Sequence, residues 1–252
     1  MKSEISTWSP DSICLKLDAA DSRPLAKAMY ERTCRTDFSQ PGFCVVDAGS
    51  EIDSISFRRL MLELKREMAA IHEVQTGKTL VHLSAARFDQ QETTRPHLDG
   101  GPDECFLMLG YEPSAVDSDL QITDYTKCAF DLGLTPKELL VKHNPMFQSS
   151  FEILEPYSTR VPCFSKTNYQ IICINNSSAG YSSLEPAWQG TLHTATILTP
   201  DEDERRVINS TMIASVPKGT PDTIDASVLN EFASTSAVRR RGYDKPHLDD
   251  DD

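Results

Sequence analysis

Among the six histidines of this 252-residue chain, one stands where its type and spacing suggest chemistry. In Arg95-Pro96-His97-Leu98-Asp99-Gly100-Gly101 an imidazole and a carboxylate lie two residues apart. In extended backbone, residues i and i+2 project from the same face, so His97 and Asp99 can reach one metal ion together. Gly100 and Gly101 are expected to let the chain turn sharply around that ion. Divalent iron held on one face by two histidines and a carboxylate keeps its other positions open for ligands and oxygen. Such a site needs a second histidine.

His193 is the best candidate, because it sits inside the strand-like run Trp188 to Leu198. Downstream, Glu204 to Ala214 reads as another strand that opens with Arg205 and Arg206 in a segment rich in β-branched residues. A guanidinium pairs with a carboxylate in a fixed fork, so an arginine here suits an anion clamp. Neighbours on a strand face opposite ways, and only one of the two can enter a shared site. Arg206 is preferred over Arg205, since it shares its face with Ile208, Ser210 and Met212.

The ordered set His97-x-Asp99, distal His193 and Arg206 resembles the iron(II)- and 2-oxoglutarate-dependent dioxygenases over roughly residues 40–215. The resemblance implies a double-stranded β-helix, the jelly-roll or cupin-like core, mainly β with flanking helices. It also implies that His97, Asp99 and His193 hold Fe(II) and that Arg206 binds the far carboxylate of 2-oxoglutarate. O2 and a small organic substrate complete the partner set, with succinate and CO2 released and hydroxylation the usual outcome. Asp99 speaks against the halogenating branch, which needs an open position there. Two alternatives use the same residues: a cupin-like metal-dependent isomerase or hydrolase, and a jelly-roll binding module without catalysis.

Composition sets the frame for these residues. With 39% hydrophobic and 25% charged residues, the chain is expected to bury a substantial core. A net charge of −13 disfavours nucleic acid, whose phosphates attract basic surfaces. No apolar run approaches the ~20 residues that span a bilayer, and the segment around Lys2, Glu4 and Asp11 lacks a secretion signal's pattern; a cytoplasmic location is the default. The seven cysteines form no Cys-x-x-Cys pair and read as reduced thiols packed in the core.

The elements that must position the site follow from periodicity. A segment at 1–39 carries a short helix near Pro24, expected at a first helical position. Apolar residues from Ile55 to Ile71 recur at threes and fours and predict a long helix. Lys78 to Asp89 reads as a strand leading to the metal motif, with His82 and Arg87 on opposite faces if it is unbroken; Arg87 is a modest substrate-anchor candidate. Glu104 to Tyr111 reads as a buried strand, and Tyr169 to Asn175 is apolar enough for a strand buried on both sides. Residues 114–150 read as a cleft-covering insertion in the 40–215 oxygenase domain, with helices over Leu120 to Phe130 and Thr135 to Lys142, and Phe151 to Glu155 as a strand. His143 is a weaker rival ligand, and Trp188 belongs to the core or the cleft wall. Residues 216–252 form an extension with a short helix at Ser227 to Phe232 and a disordered acidic end, where His247-Leu248-Asp249 is assigned no role.

Overall fold

The computed structural model describes residues 8–17, 21–145, 147 and 151–241. The N-terminal Lys2 and Glu4 and the acidic end with His247 lie outside them. The apolar runs become strands of two sheets: β1 (Cys14–Lys16), β2 (Phe43–Gly49), β3 (Lys78–Gln90), β4 (Cys105–Tyr111), β5 (Ser118–Thr123), β6 (Ser158–Arg160), β7 (Tyr169–Asn175), β8 (Leu192–Ile197), β9 (Val207–Pro217) and β10 (Arg239–Arg241). The larger sheet has the order β1-β2-β7-β4-β9-β3-β10, the smaller β6-β5-β8. Interior pairings are antiparallel, while β1 and β10 add at the edges in parallel.

Side-chain alternation divides the larger sheet between two cores. Cys44, Val46, Phe106, Met108, Ile171, Cys173 and Ile213 face helices α2 (Ser22–Thr33), α3 (Ser54–Thr76) and α7 (Ala226–Ser234). Their neighbours Phe43, Val45, Leu107, Leu109, Ile172, Ile174 and Ile208 face Leu120, Ile122 and Ala195 of the smaller sheet. The result is a sheet-rich sandwich with helices on its outer side. Each large side chain removed fully from water contributes about 1.5–3 kcal/mol; β7 is buried on both faces as its composition predicts, and β4 is buried on both faces as well.

Local chemistry sets the ends of the helices. The Asp53 carboxylate accepts from the Ile55 and Ser56 amides and starts α3. Asp21 caps α2 at Ser22, so Pro24 occupies the third helical position rather than the first. Thr135 and Glu138 form a capping box on α5 (Pro136–Lys142).

Several expectations need correction. Leu120 to Phe130 is not one helix: Leu120 and Ile122 alternate with polar residues in β5, the middle strand of the smaller sheet, and Asp124 then caps α4 (Tyr125–Asp131). Phe151 to Glu155 is not a strand; Phe151–Leu154 is helical, and Leu154 packs beside Tyr125, Leu139 and Leu192. Arg239–Arg241 is paired with β3 instead of lying in an unstructured end. The cysteines are not all thiols, because Cys14 and Cys163 form a disulfide. Their 149-residue separation is closed only by tertiary packing, which spacing in the sequence does not reveal. The other five are free and buried.

Candidate metal centre and its cavity

His97 and His193 are brought together by backbone pairing. The two residues form an antiparallel bridge in which each amide donates to the other's carbonyl, at 3.2 and 3.1 Å. Residues so paired present their side chains on one face, and the two rings lie 4.2 Å apart between centroids. Asp99, two residues along, follows the i, i+2 expectation. One ligand atom from each of His97, Asp99 and His193 falls within 4.8 Å of the others, a spread compatible with one ion.

Second contacts hold these groups in place. His97 Nδ1 donates to the Arg95 carbonyl at 2.7 Å, which leaves the Nε2 lone pair available and 3.6 Å from the Asp99 carboxylate. Asp99 is held through its backbone: its amide donates to Asn176 Oδ1 at 2.9 Å, and Asn176 Nδ2 donates to its carbonyl at 2.8 Å. Asn176 was not legible as a site residue, because a turn-rich stretch explains an asparagine without it. The two glycines do not act as expected. Neither is among the residues with positive φ. Gly101 is needed for close approach, since a Cβ there would come within 2.9 Å of Cys105 Sγ and 3.0 Å of Met212 Sδ.

The electrostatics separate the two imidazoles. Burial, reinforced by His97, pushes His193 down to about 4, with Asp99 opposing, so it is neutral and ligand-competent at pH 7. His97 is raised, first by the Asp99 carboxylate, which favours its protonated form, against the opposing effect of burial. His193 Nδ1 is buried without a hydrogen-bond partner.

The three residues close one side of a cavity of about 280 Å³ between the sheets. Its floor comes from the inward faces of β3, β4 and β9, among them Ala86, Phe88, Leu109, Tyr111, Ile208 and Ser210. Arg206 lies in this lining and is 2% exposed. Its Nε donates to Ser118 Oγ at 2.8 Å and its Nη1 to the Gln90 carbonyl at 3.0 Å. The guanidinium lies 4.9 Å from the Tyr111 ring centre. Nη2 is buried with no acceptor, and no carboxylate forms an ion pair with Arg206 among the described residues. A buried guanidinium without a paired anion is costly unless an anion joins it.

Other candidates lie elsewhere. The register shifts between His82 and Ser84, which puts His82 and Arg87 on the same, helix-covered side: His82 is beside Asp222, and Arg87 pairs with Glu112 at 3.0 Å. Arg87 therefore lines no part of the central cavity. His143 caps the end of α5, and Trp188 packs in the helix-side core against His72 and Phe106. Arg205 emerges on the opposite side of the sheet from Arg206.

A scan against protein-family models finds no match, and no curated protein matches. Among solved structures, one match is the iron and alpha-ketoglutarate-dependent endoperoxidase NvfI, at 13% identity over 78% of this chain and 83% of that one, with a TM-score of 0.36.

Proposed function

We propose that this chain is a non-haem iron(II)- and 2-oxoglutarate-dependent oxygenase acting on a small organic substrate. The carrying observation is the pairing of a His97-Asp99-His193 cluster with a buried, unpaired Arg206 in one cavity. Two imidazoles and one carboxylate suit divalent iron with open positions. The free Nη2 suits the distal carboxylate of a keto diacid. The two sheets facing across this cavity support reading the core as a double-stranded β-helix. No observation specifically favours a hydrolase, isomerase or silent binding module.

In this reading His97, Asp99 and His193 hold the iron. Iron with 2-oxoglutarate would supply O2 activation coupled to oxidative decarboxylation, giving succinate, CO2 and an oxidised substrate. Arg206 grips the co-substrate's far carboxylate, and its own orientation is fixed by Ser118 and the Gln90 carbonyl. Phe88, Leu109 and Ile208 keep water from the space between, which strengthens that contact. The volume is slightly below the roughly 300–1,000 Å³ of ordinary ligand pockets, so co-substrate fills the interior and substrate meets the metal near the exposed Ser84.

The test is anaerobic titration with Fe(II) and then 2-oxoglutarate. A visible metal-to-ligand charge-transfer band is expected, followed by succinate formation under O2. Iron binding without any response to 2-oxoglutarate would remove the co-substrate from the proposal; failure to bind iron at all would remove the whole of it.

A further inference from the structure

We propose that Phe164 is a positioning residue for the Arg206 clamp, acting through Tyr111, and that the Cys14–Cys163 disulfide makes this support sensitive to reduction. The inference rests on the co-substrate reading given above. Phe164 and the two cysteines do not line the cavity themselves; only Tyr111 does, so any effect they have on the clamp is transmitted through its ring.

The contacts form a continuous series. Ser118 and the Gln90 carbonyl hold Arg206 Nε and Nη1, and the guanidinium lies over the Tyr111 ring, 4.9 Å from its centre. A ring face attracts a cation more strongly when both are desolvated, and Tyr111 is buried. Phe164 meets Tyr111 with ring centres 5.0 Å apart and planes at 81°, the edge-to-face arrangement that aromatic pairs prefer. Phe164 is in turn held on both sides. Gln170 of β7, fully buried, donates to the Cys163 carbonyl and accepts from the Ser165 amide, each at 2.7 Å. The third anchor is covalent. Cys14 lies on β1 at the edge of the larger sheet, and Cys163 follows β6 at the edge of the smaller one, so the disulfide joins the two walls of the sandwich beside Phe164. Neither cysteine is fully buried, in contrast to the five free thiols. Thiolate attack by a dithiol breaks the S–S bond, passes two electrons and two protons to Cys14 and Cys163, and leaves the dithiol as its own disulfide. Gln170 then still holds the backbone, but the tie to β1 is gone and Phe164 is free to move off the Tyr111 edge.

The experiment compares the full chain and Phe164→Leu, each with the disulfide closed and after reduction by dithiothreitol that is then removed anaerobically. Hydrogen exchange at Arg206 Nε is followed by NMR without co-substrate, the signal being assigned by its loss in Arg206→Lys. The 2-oxoglutarate concentration for half-maximal turnover is measured beside it. Reduction and Phe164→Leu should each speed the exchange and raise that concentration about two- to ten-fold, the effect of losing one edge-to-face aromatic contact. Iron affinity and turnover at saturating co-substrate should not change. Reducing Phe164→Leu should add nothing further, because both changes act through one contact. The inference is overturned if Arg206 exchange is the same in all four samples, if the two effects add, or if iron affinity falls with them, which marks a general loosening of the fold. A wild-type protein that ignores 2-oxoglutarate ends the proposed function instead, while Arg206 exchange still decides the role of Phe164.

Discussion

Under the proposed reaction Asp99 and Arg206 would do different work, and their variants separate it. Asp99→Ala would then remove the anionic ligand, and iron affinity should fall by more than the 10–100-fold that accompanies changes in outer contacts of metal sites; calorimetric iron titration reads this directly. Arg206→Lys keeps a charge but loses the fork. It should raise the 2-oxoglutarate concentration for half-maximal turnover about 10–100-fold, the effect of losing one charge-assisted hydrogen bond worth roughly 1.5–3 kcal/mol. Its iron affinity should be unchanged, as a titration without co-substrate would show. The candidate site was legible as a grouping because the proposed chemistry restricts residue type: His97, Asp99, His193 and Arg206, singled out in the sequence, line one cavity. Asn176, which holds Asp99 by two backbone contacts, was hidden because an asparagine in a turn already has an ordinary explanation.

At the scale of elements, the strands and the long helix were readable from period two and period 3.6. The failures came where a short segment's partner decided its form. Leu120 to Thr123 is a strand because β8 and β6 lie on either side of it, and no window of sequence contains those neighbours. The β3 irregularity between His82 and Ser84 likewise reverses a face assignment that an unbroken strand would have made correctly. Packing also constrains Gly190, just before β8: a Cβ there would lie 2.0 Å from the Ser177 carbonyl oxygen. Gly190→Ala should therefore destabilise by about 1–3 kcal/mol or more in chemical denaturation, while Gly100→Ala, with open space around it, should be neutral by the same measurement.

Two buried histidines tie elements together and give stability a pH dependence. His72 of α3 bridges Tyr30 of α2 and Ser215 of β9, and His82 of β3 lies under Lys65 and Asp222. Burial brings each down to about 4, below the ordinary 6.5. The unfolded chain then binds more protons than the folded one across this interval, so stability is full above about pH 6.5 and declines towards pH 4. The contribution is at most about 3 kcal/mol per histidine. Denaturation midpoints measured from pH 7 to pH 4.5 should fall, and His72→Gln should flatten that dependence.

For the whole molecule, composition indicated a sizeable core but not its covalent tie. Cys14 on an edge strand and Cys163 beyond β6 join distant parts of the chain, and no local pattern marks that pairing. Thiol labelling of denatured, unreduced protein should modify five of the seven cysteines. Cys163→Ser should lower stability by about 2–4 kcal/mol, the usual effect of losing a long-loop crosslink.

The unequal ends of the central cavity carry a kinetic meaning. Arg206 is 2% exposed, whereas the side chains of His97 and Asp99 are 30% and 42% exposed. In the proposed reading, a compound bound at the guanidinium would lie deeper than one at the metal. Under the proposed reaction, steady-state analysis should accordingly reveal compulsory sequence, with the keto acid arriving ahead of its companion and the spent dicarboxylate departing last.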